Sequence, residues 1–209
     1  MSAITRTTSV LRSADKEGRS GRLTFVTVRS DIEQTGELVI AEEQDIVYRR
    51  GGPSLTPNVA APAGPERNLE NARSASLSLD VDEVLLFRFS ALTYNAHRIH
   101  YDRDYAVTEG YPDLVIHGPL QALLMGQAMR RSGVPMLGRQ FAYRLVAPTF
   151  GVQRLAATAW RQEGGVAAQV RDQAGTITAT SNLTAVPESS TARTGSSGWA
   201  RSGHEPPDG

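Results

Sequence analysis

The sequence predicts an α+β protein in which antiparallel strands pack around one long helix. Strand-like segments with alternating apolar and polar residues stand on both sides of a stretch rich in Pro, Gly, Ala and Asn. Only one long segment, which begins at Pro119, has apolar residues at helical spacing. The chain therefore divides into two unequal units, and only the second has a helix of its own.

The first unit, residues 1–50, consists of strands alone. Alternation predicts three of them, at roughly 7–16, 22–34 and 37–49. Gly18 and Gly21 mark the first turn, and Thr35-Gly36 marks the second. A three-stranded sheet with an apolar face needs a cover. We therefore expect another part of the molecule to supply this cover.

Residues 51–76 lack periodicity and are predicted to be a linker. Residues 187–209 are rich in Ser, Gly and Pro and are predicted to be a disordered tail. The second unit is thus placed at residues 77–186.

The second unit is predicted to contain a strand, a polar segment with three histidines, a helix and four more strands. The first strand is placed at Val84 to Phe89. His117-Gly118-Pro119 opens the helix, because Pro suits the first helical position. Its apolar stripe is predicted to comprise Leu120, Leu123, Leu124 and Ala128, with Met125 and Met129 beside it. The last four strands are placed at 140–147, 152–162, 166–172 and 176–186, the last with its threonines opposite its apolar residues.

Composition excludes several classes of protein. The 22 basic and 22 acidic residues give a net charge of zero, so no long-range field favours nucleic acid. The chain has no cysteine, which excludes disulfides, thiolate nucleophiles and Cys-based zinc sites. No secretory signal or apolar run of membrane-spanning length is evident. We expect a cytoplasmic protein that binds neither nucleic acid nor membrane.

His97 and His100 stand three residues apart, with Asp102 and Asp104 close by. Three interpretations compete: polar groups of a surface loop, ligands of a two-His-one-carboxylate metal site, or a general acid/base with a polar partner that orients water. No Glu follows as in HExxH and no further clustered ligand is evident, so no metal site is predicted.

The segment Tyr94-Asn95-Ala96-His97-Arg98-Ile99-His100 resembles the D-x-N-P-x-H signature of the MaoC-like, type 2 hydroxyacyl-thioester dehydratase family. His117-Gly118-Pro119-Leu120 matches the family's H-G-x-L entry to its helix, and the resemblance covers roughly residues 85–186. Within the family the chain looks closest to the mesaconyl-C4-CoA or itaconyl-CoA hydratase branch. The resemblance implies a hot-dog fold, a curved antiparallel sheet around one long helix, with residues 1–50 as a partial second hot-dog unit.

The same resemblance implies a hydro-lyase acting on an enoyl- or hydroxyacyl-CoA thioester, with no cofactor beyond the CoA of the substrate. It also implies a homodimer or a higher homo-oligomer. His100 takes the position of the family's catalytic His, and Asn95 that of its catalytic Asp. Because an amide cannot accept a proton, Asn95 would orient water while His100 transfers protons. Gly118 is the candidate oxyanion donor, because an N–H at a helix N-terminus stabilises negative charge.

Five further residues are candidates for substrate binding. His97 and Arg98 replace the Asn-Pro of the signature, and Arg98 could meet a CoA phosphate or a substrate carboxylate. His117 is expected to fix the turn before the helix rather than to transfer protons. Tyr143 and Arg144 lie on a later strand, where an arginine would suit the free carboxylate of a dicarboxylic acyl group.

The residues leave alternatives open. One is a (3R)-hydroxyacyl-thioester dehydratase of fatty acid metabolism, which an apolar pocket without arginine would favour. Another is a non-catalytic or truncated acyl-binding hot-dog protein, since the first unit lacks its own helix. A thioesterase shares the fold, but the spacing of Asn95 and His100 favours a hydratase. Whether the acyl group arrives on CoA or on a carrier protein is open.

Overall fold

The first unit is a three-stranded antiparallel sheet. The computed structural model describes residues 3–18, 21–49 and 74–186, and it divides the chain into units of residues 1–54 and 55–209. In the first unit β1 (Ile4–Gly18), β2 (Gly21–Gln34) and β3 (Glu37–Arg49) pair in chain order. Thr35 and Gly36 both have positive φ, as a tight hairpin turn between β2 and β3 requires. The three predicted strands are confirmed, and β1 is longer than expected.

The second unit combines a five-stranded antiparallel sheet with one long helix. It begins with β4 (Ala75–Val81), α1 (Glu83–Thr93), a 3-10 turn (Arg98–His100) and α2 (Arg103–Thr108). Then come α3 (Gly118–Arg131), β5 (Arg139–Leu145), β6 (Gln153–Gln162), β7 (Gly165–Arg171) and β8 (Ile177–Ala185). The strands lie in the order β4-β6-β7-β8-β5, and α3 packs against four of them. The predicted long helix and the four strands after it are confirmed.

The core of this unit lies between α3 and the sheet. Leu120, Leu124, Met125, Ala128 and Met129 of the helix are buried against small and branched strand residues such as Leu155, Ala157, Val170 and Leu183. Each large side chain buried in this way contributes roughly 1.5–3 kcal/mol. The core therefore fixes the position of α3, and with it the helix N-terminus, on the sheet.

Leu123 was predicted to belong to the buried stripe, and this is wrong, because its side chain is 59% exposed. Successive helical residues are rotated by about 100°. The buried residues of α3 therefore centre on Gln121, and Leu123 lies on the opposite side. Gln121 is buried because its Oε1 accepts a hydrogen bond from Thr178 Oγ1 of β8 at 2.6 Å.

The predicted alternation of β8 fails at Thr178. A register shift between β7 and β8 pairs Val170 with Ala179 but Arg171 with Ile177, so Thr178 is the extra residue of a β-bulge. The threonine is therefore buried, although it was placed on the face opposite the apolar residues.

The predicted strand at Val84 to Phe89 is also wrong, since these residues belong to α1. Asp82 caps this helix, because its side chain accepts a hydrogen bond from the backbone N–H of Leu85 at 2.7 Å. A short apolar run fits a buried strand and a buried helix equally well. The Asp82 cap and the acidic Glu83 in the first turn are both typical of a helix N-terminus, and they indicate a helix.

The strand in this region is β4, which was missed. It begins inside the segment predicted as linker, and its Leu77, Leu79 and Val81 alternate with more exposed residues. Residues 51–73 of that linker and the predicted tail at 187–209 lie outside the described residues. Across the described ranges, no helix has both the length and the apolar character needed to span a bilayer.

Candidate active site

The end of α1 turns the chain toward the histidines. Tyr94 adopts the left-handed conformation with φ 53°, and the Asn95 N–H donates to Ser90 O at 2.9 Å. The side chain of Asn95 continues the turn, because its Oδ1 accepts from the His97 N–H at 3.0 Å. Asn95 thus helps to shape the connection from α1 to the 3-10 turn that carries His100.

His100 is buried, and one of its two ring nitrogens is hydrogen-bonded to the backbone. Its Nδ1 lies 2.7 Å from the carbonyl oxygen of Val115. A carbonyl can only accept, so Nδ1 carries the hydrogen and Nε2 of the neutral ring is left as the proton acceptor. The backbone N–H of Val115 donates in turn to Ile99 O at 2.9 Å, which ties the segment before α3 to the 3-10 turn.

The surroundings of His100 favour its neutral form. Burial lowers the pKa of His100, a nearby positive charge on His97 lowers it further, and the hydrogen bond to Val115 opposes both. The ring is therefore a neutral base near pH 7, as a general base must be.

His117 is stacked on His100. The two ring centroids are 3.8 Å apart and the planes differ by 17°. His117 Nε2 is 2.9 Å from Ser90 Oγ of α1, and the Phe89 ring lies edge-on to it at 4.8 Å. Burial lowers the pKa of His117 to about 4, and the charge of His100 is the second and smaller cause of this shift. His117 precedes α3, but its side chain makes no capping hydrogen bond there.

Gly118 begins α3, the position predicted for the oxyanion donor. The first N–H groups of a helix have no partner within the helix. A Cβ at Gly118 would overlap Cδ1 of Leu145 on β5, which is the end of a half-exposed side chain and would have to move aside. The oxyanion role of Gly118 stays a prediction.

A cleft of about 270 Å³ lies beside α1, and its volume is near the lower end for ligand pockets. Its lining residues are Phe87, Ser90, Ala91, Tyr94, Asn95, Ala96 and Tyr101, and the hydroxyl of Ser90 is hydrogen-bonded to His117. Neither His100 nor His117 lines the cleft, and Ser90 is the lining residue that contacts the histidine pair. None of the described residues that line the cleft is basic.

The other predicted binding residues have local partners or lie elsewhere. Arg98 is paired with Asp102 at 2.6 Å, and its guanidinium lies 4.4 Å from the centroid of the Tyr105 ring. His97 is exposed at the edge of the pair, with its ring 5.9 Å from that of His100. Within the described ranges no three His, Cys, Asp or Glu side chains come together as metal ligands would.

Tyr143 and Arg144 lie on β5, which is an edge strand of the sheet. Side chains alternate along a strand, so Tyr143 shares its face with Leu145, the residue that packs against Gly118, and Arg144 points the other way. Of the two, only Tyr143 faces the start of α3. The binding roles of both stay predictions.

Ser90 is the site residue that sequence reasoning missed. It is an unremarkable serine in an apolar run, which was read as a strand that ended before it. Once Asp82 is recognised as a helix cap, Ser90 falls one turn after Leu86 on the buried side of α1. That spacing is the signal that could have identified it.

The helix packed on an antiparallel sheet, with a buried neutral histidine beside the helix N-terminus, defines a hot-dog protein of the MaoC-like type. A solved MaoC-like dehydratase aligns with a TM-score of 0.66 and 14% identity, over 89% of this chain and 70% of that one. HtdX from Mycobacterium tuberculosis aligns with a TM-score of 0.65 and 14% identity, over 88% and 68%. At these identities the likeness establishes the fold, and the predicted α+β hot-dog class is confirmed.

The family follows from sequence. A profile of hydroxyacyl-thioester dehydratase type 2 matches residues 1–151. The chain is 50% identical over 149 residues to mesaconyl-C(4)-CoA hydratase of Chloroflexus aurantiacus, covering 69% of this chain and 50% of that protein. It is 41% identical over 76 residues to the mitochondrial hydroxyacyl-thioester dehydratase type 2 of Schizosaccharomyces pombe, covering 34% and 25%. The chain belongs to the hydroxyacyl-thioester dehydratase type 2 family, as its motifs predicted, and it spans half or less of the length of these relatives.

Proposed function

We propose that this protein is a hydro-lyase that adds water to an α,β-unsaturated acyl-CoA thioester and catalyses the reverse dehydration. The observation that carries the proposal is His100, a buried neutral imidazole with Nδ1 bound to Val115 O and Nε2 free to accept a proton. Family membership and the 50% identity to a hydratase support the same reaction class.

The proposed hydration needs one base and one oxyanion donor. His100 Nε2 removes a proton from water, and the oxygen of that water bonds to the β-carbon while the C=C electron pair moves toward the thioester. The N–H of Gly118 stabilises the negative charge that develops on the thioester oxygen. The imidazolium of His100 then protonates the α-carbon, which restores the neutral base. Dehydration runs through the same steps in reverse.

Asn95 is proposed to position the water. Its Oδ1 is used by the His97 N–H, so the group left for the water is the amide NH₂. An NH₂ donates to the oxygen of the water and leaves a water hydrogen for His100. In dehydration the same donor supports the departing hydroxyl. His100 therefore carries the proton alone.

A short dicarboxylic acyl group, such as mesaconyl-C4-CoA or itaconyl-CoA, is the first proposed substrate class because of the identity to the Chloroflexus hydratase. The second is a fatty (3R)-hydroxyacyl thioester, and a specific observation favours it. Apart from Ser90 and Asn95, the cleft beside α1 is lined by aromatic and alanine side chains. None of the described lining residues is basic, so the cleft offers a free carboxylate no cationic partner.

The remaining proposals concern the setting of the reaction. The thioester is the substrate, carried on CoA or on a carrier protein, and no resident cofactor or metal takes part. The protein acts in the cytoplasm as a homodimer or a higher homo-oligomer. Light scattering should then give a mass of at least twice the 22.6 kDa of the chain.

The test follows the loss of enoyl-thioester ultraviolet absorbance with mesaconyl-CoA, itaconyl-CoA and crotonyl-CoA. Removing the only base should lower kcat by a factor of about 10² to 10⁴, so His100→Ala should be nearly inactive while it remains folded. Preference for the two dicarboxylic substrates supports the first class, and preference for crotonyl-CoA supports the second. A folded wild type that turns over none of the three contradicts the proposal.

A further inference from the structure

Ser90 and His117 are two buried polar residues that the proposed mechanism does not use. Ser90 lies on α1 and His117 directly before α3, 27 residues apart, yet Ser90 Oγ and His117 Nε2 are within 2.9 Å. Both are almost fully buried. Buried polar groups are costly unless paired, so this hydrogen bond fixes the ring of His117.

The fixed ring lies flat against His100. The separation of 3.8 Å and the angle of 17° are those of a stack, and the other hydrogen bond of His100 runs to Val115 O. His100 is thus held in its ring plane by Val115 and across its face by His117. The Phe89 ring contacts His117 edge-on, with the ring centroids 4.8 Å apart.

We propose that Ser90 and His117 are a positioning pair that holds the His100 ring with its Nε2 directed at the substrate. This role rests on the proposed function. The pair transfers no proton itself, and Ser90 acts only through His117.

The charge state of His117 fits this role. Its Nδ1 is buried without a hydrogen-bond partner in the described part of the chain, a cost to stability that the buried Ser181 hydroxyl shares. The ring is also held neutral, with a pKa of about 4, so it can cover His100 without adding a second positive charge beside it.

The ionisable groups around the pair are few. In the described residues, His100 is the charge that acts on His117, and His97 is the charge that acts on His100. α1 contributes Phe89 and Ser90, which carry no charge near pH 7. A change in the titration of His100 can therefore be traced to the pair.

The experiment compares Ser90→Ala with Ser181→Ala. Ser181 is a matched control, because it is equally buried and its hydroxyl has no partner among the described residues. In Ser90→Ala the His117 ring is released and the face of His100 becomes less covered. We expect kcat to fall about tenfold with KM little changed, because misplacing a reacting group costs rate rather than binding. Ser181→Ala should keep the wild-type kcat.

A second readout does not depend on turnover. The NMR titration of ¹³C-labelled histidines should show the pKa of His100 moving upward in Ser90→Ala, toward the ordinary value for histidine, because burial is what lowers it. It should not move in Ser181→Ala. If the wild type hydrates no thioester, the proposed function fails while this titration still tests the pair.

The double variant tests whether Ser90 acts through His117. His117→Phe keeps an aromatic ring against His100 and removes the nitrogen that contacts Ser90. Adding Ser90→Ala to His117→Phe should then change neither kcat nor the pKa of His100. The same tenfold loss in both backgrounds would overturn the inference. So would a Ser90→Ala protein in which the titration of His100 is that of the wild type.

Discussion

At the scale of single residues, stacking disfavours a charge on both imidazoles at once. Rings 3.8 Å apart titrate as a coupled pair, and the proton goes to the ring that loses less solvation and has the better partner. His100 has the Val115 carbonyl, which favours its charged form, whereas no carbonyl or carboxylate among the described residues favours the charged form of His117. Of the two, His100 is therefore the one suited to accept a proton during a reaction.

The buried His117 predicts how stability depends on pH. Its pKa is about 4 in the folded protein and 6.5 in the unfolded chain. Below pH 6.5 the unfolded chain binds a proton that the folded protein excludes. The contribution of the neutral His117 to the free energy of unfolding is fully present above pH 6.5. It is lost as the pH falls toward 4, and the total loss is on the order of 3 kcal/mol.

The measurement is the free energy of unfolding in urea between about pH 7.5 and about pH 4.5. The wild type should lose stability on acidification, and His117→Phe should lose distinctly less. A residual dependence is expected in the variant, because burial also lowers the pKa of His100. Equal pH dependence in both proteins would contradict the assignment of a buried neutral His117.

At the scale of helices and strands, the sequence predicted the elements whose apolar pattern is long or is bounded by Pro or Gly. α3 and β5 to β8 were placed within a few residues, because Pro119 opens the helix and glycines separate the strands. α1 was misread because Val84 to Phe89 is too short for its period to be decided, and the cap at Asp82 went unused. β4 was missed although Leu77, Leu79 and Val81 alternate clearly.

The candidate site could be predicted from sequence only in part. His100 and the start of α3 were identified by a motif, and the structure brings His100 and His117 into contact. The contact between Ser90 and His117 joins residues 27 apart across two elements, which no local pattern encodes. The burial of Thr178 likewise follows from a β-bulge that depends on the pairing of β7 with β8.

The contact of α3 with β5 predicts a compensating pair of substitutions. Gly118→Ala places a Cβ in the position of Leu145 Cδ1, so the leucine side chain must move. We expect Gly118→Ala to destabilise the protein by less than the roughly 1–3 kcal/mol of an overpacked core, because the half-exposed end of Leu145 can shift. Adding Leu145→Ala should recover part of this loss, although Leu145→Ala alone is not stabilising.

Denaturant unfolding of the two single variants and the double variant measures this coupling. Strictly additive effects would show that the Gly118 backbone, rather than Leu145, is the cause. Activity is an independent readout, because alanine retains the backbone N–H proposed as the oxyanion donor. A Gly118→Ala protein that is destabilised but keeps its kcat would locate the requirement for glycine in packing.

At the scale of the whole molecule, the charges are balanced in total and also locally. The net charge is zero. Arginines in both units have acidic partners nearby: Arg29 with Glu43, Arg98 with Asp102, Arg103 with Glu83 and Asp113, and Arg154 with Asp80. Exposed pairs of this kind add little stability, but they cancel the field that each arginine alone would project.

This balance predicts how the proposed reaction responds to salt. CoA is polyanionic, and steered capture of an anion would require an extended positive surface. With a net charge of zero and several arginines paired, kcat/KM for an acyl-CoA should change by less than about threefold from about 0.02 M to about 0.5 M salt. The control substrate is the same acyl group on N-acetylcysteamine, which has no phosphates and should show the same weak dependence. A steep fall with acyl-CoA alone would instead reveal uncompensated basic residues at the CoA site, and Arg144 on the edge strand would be the first to replace.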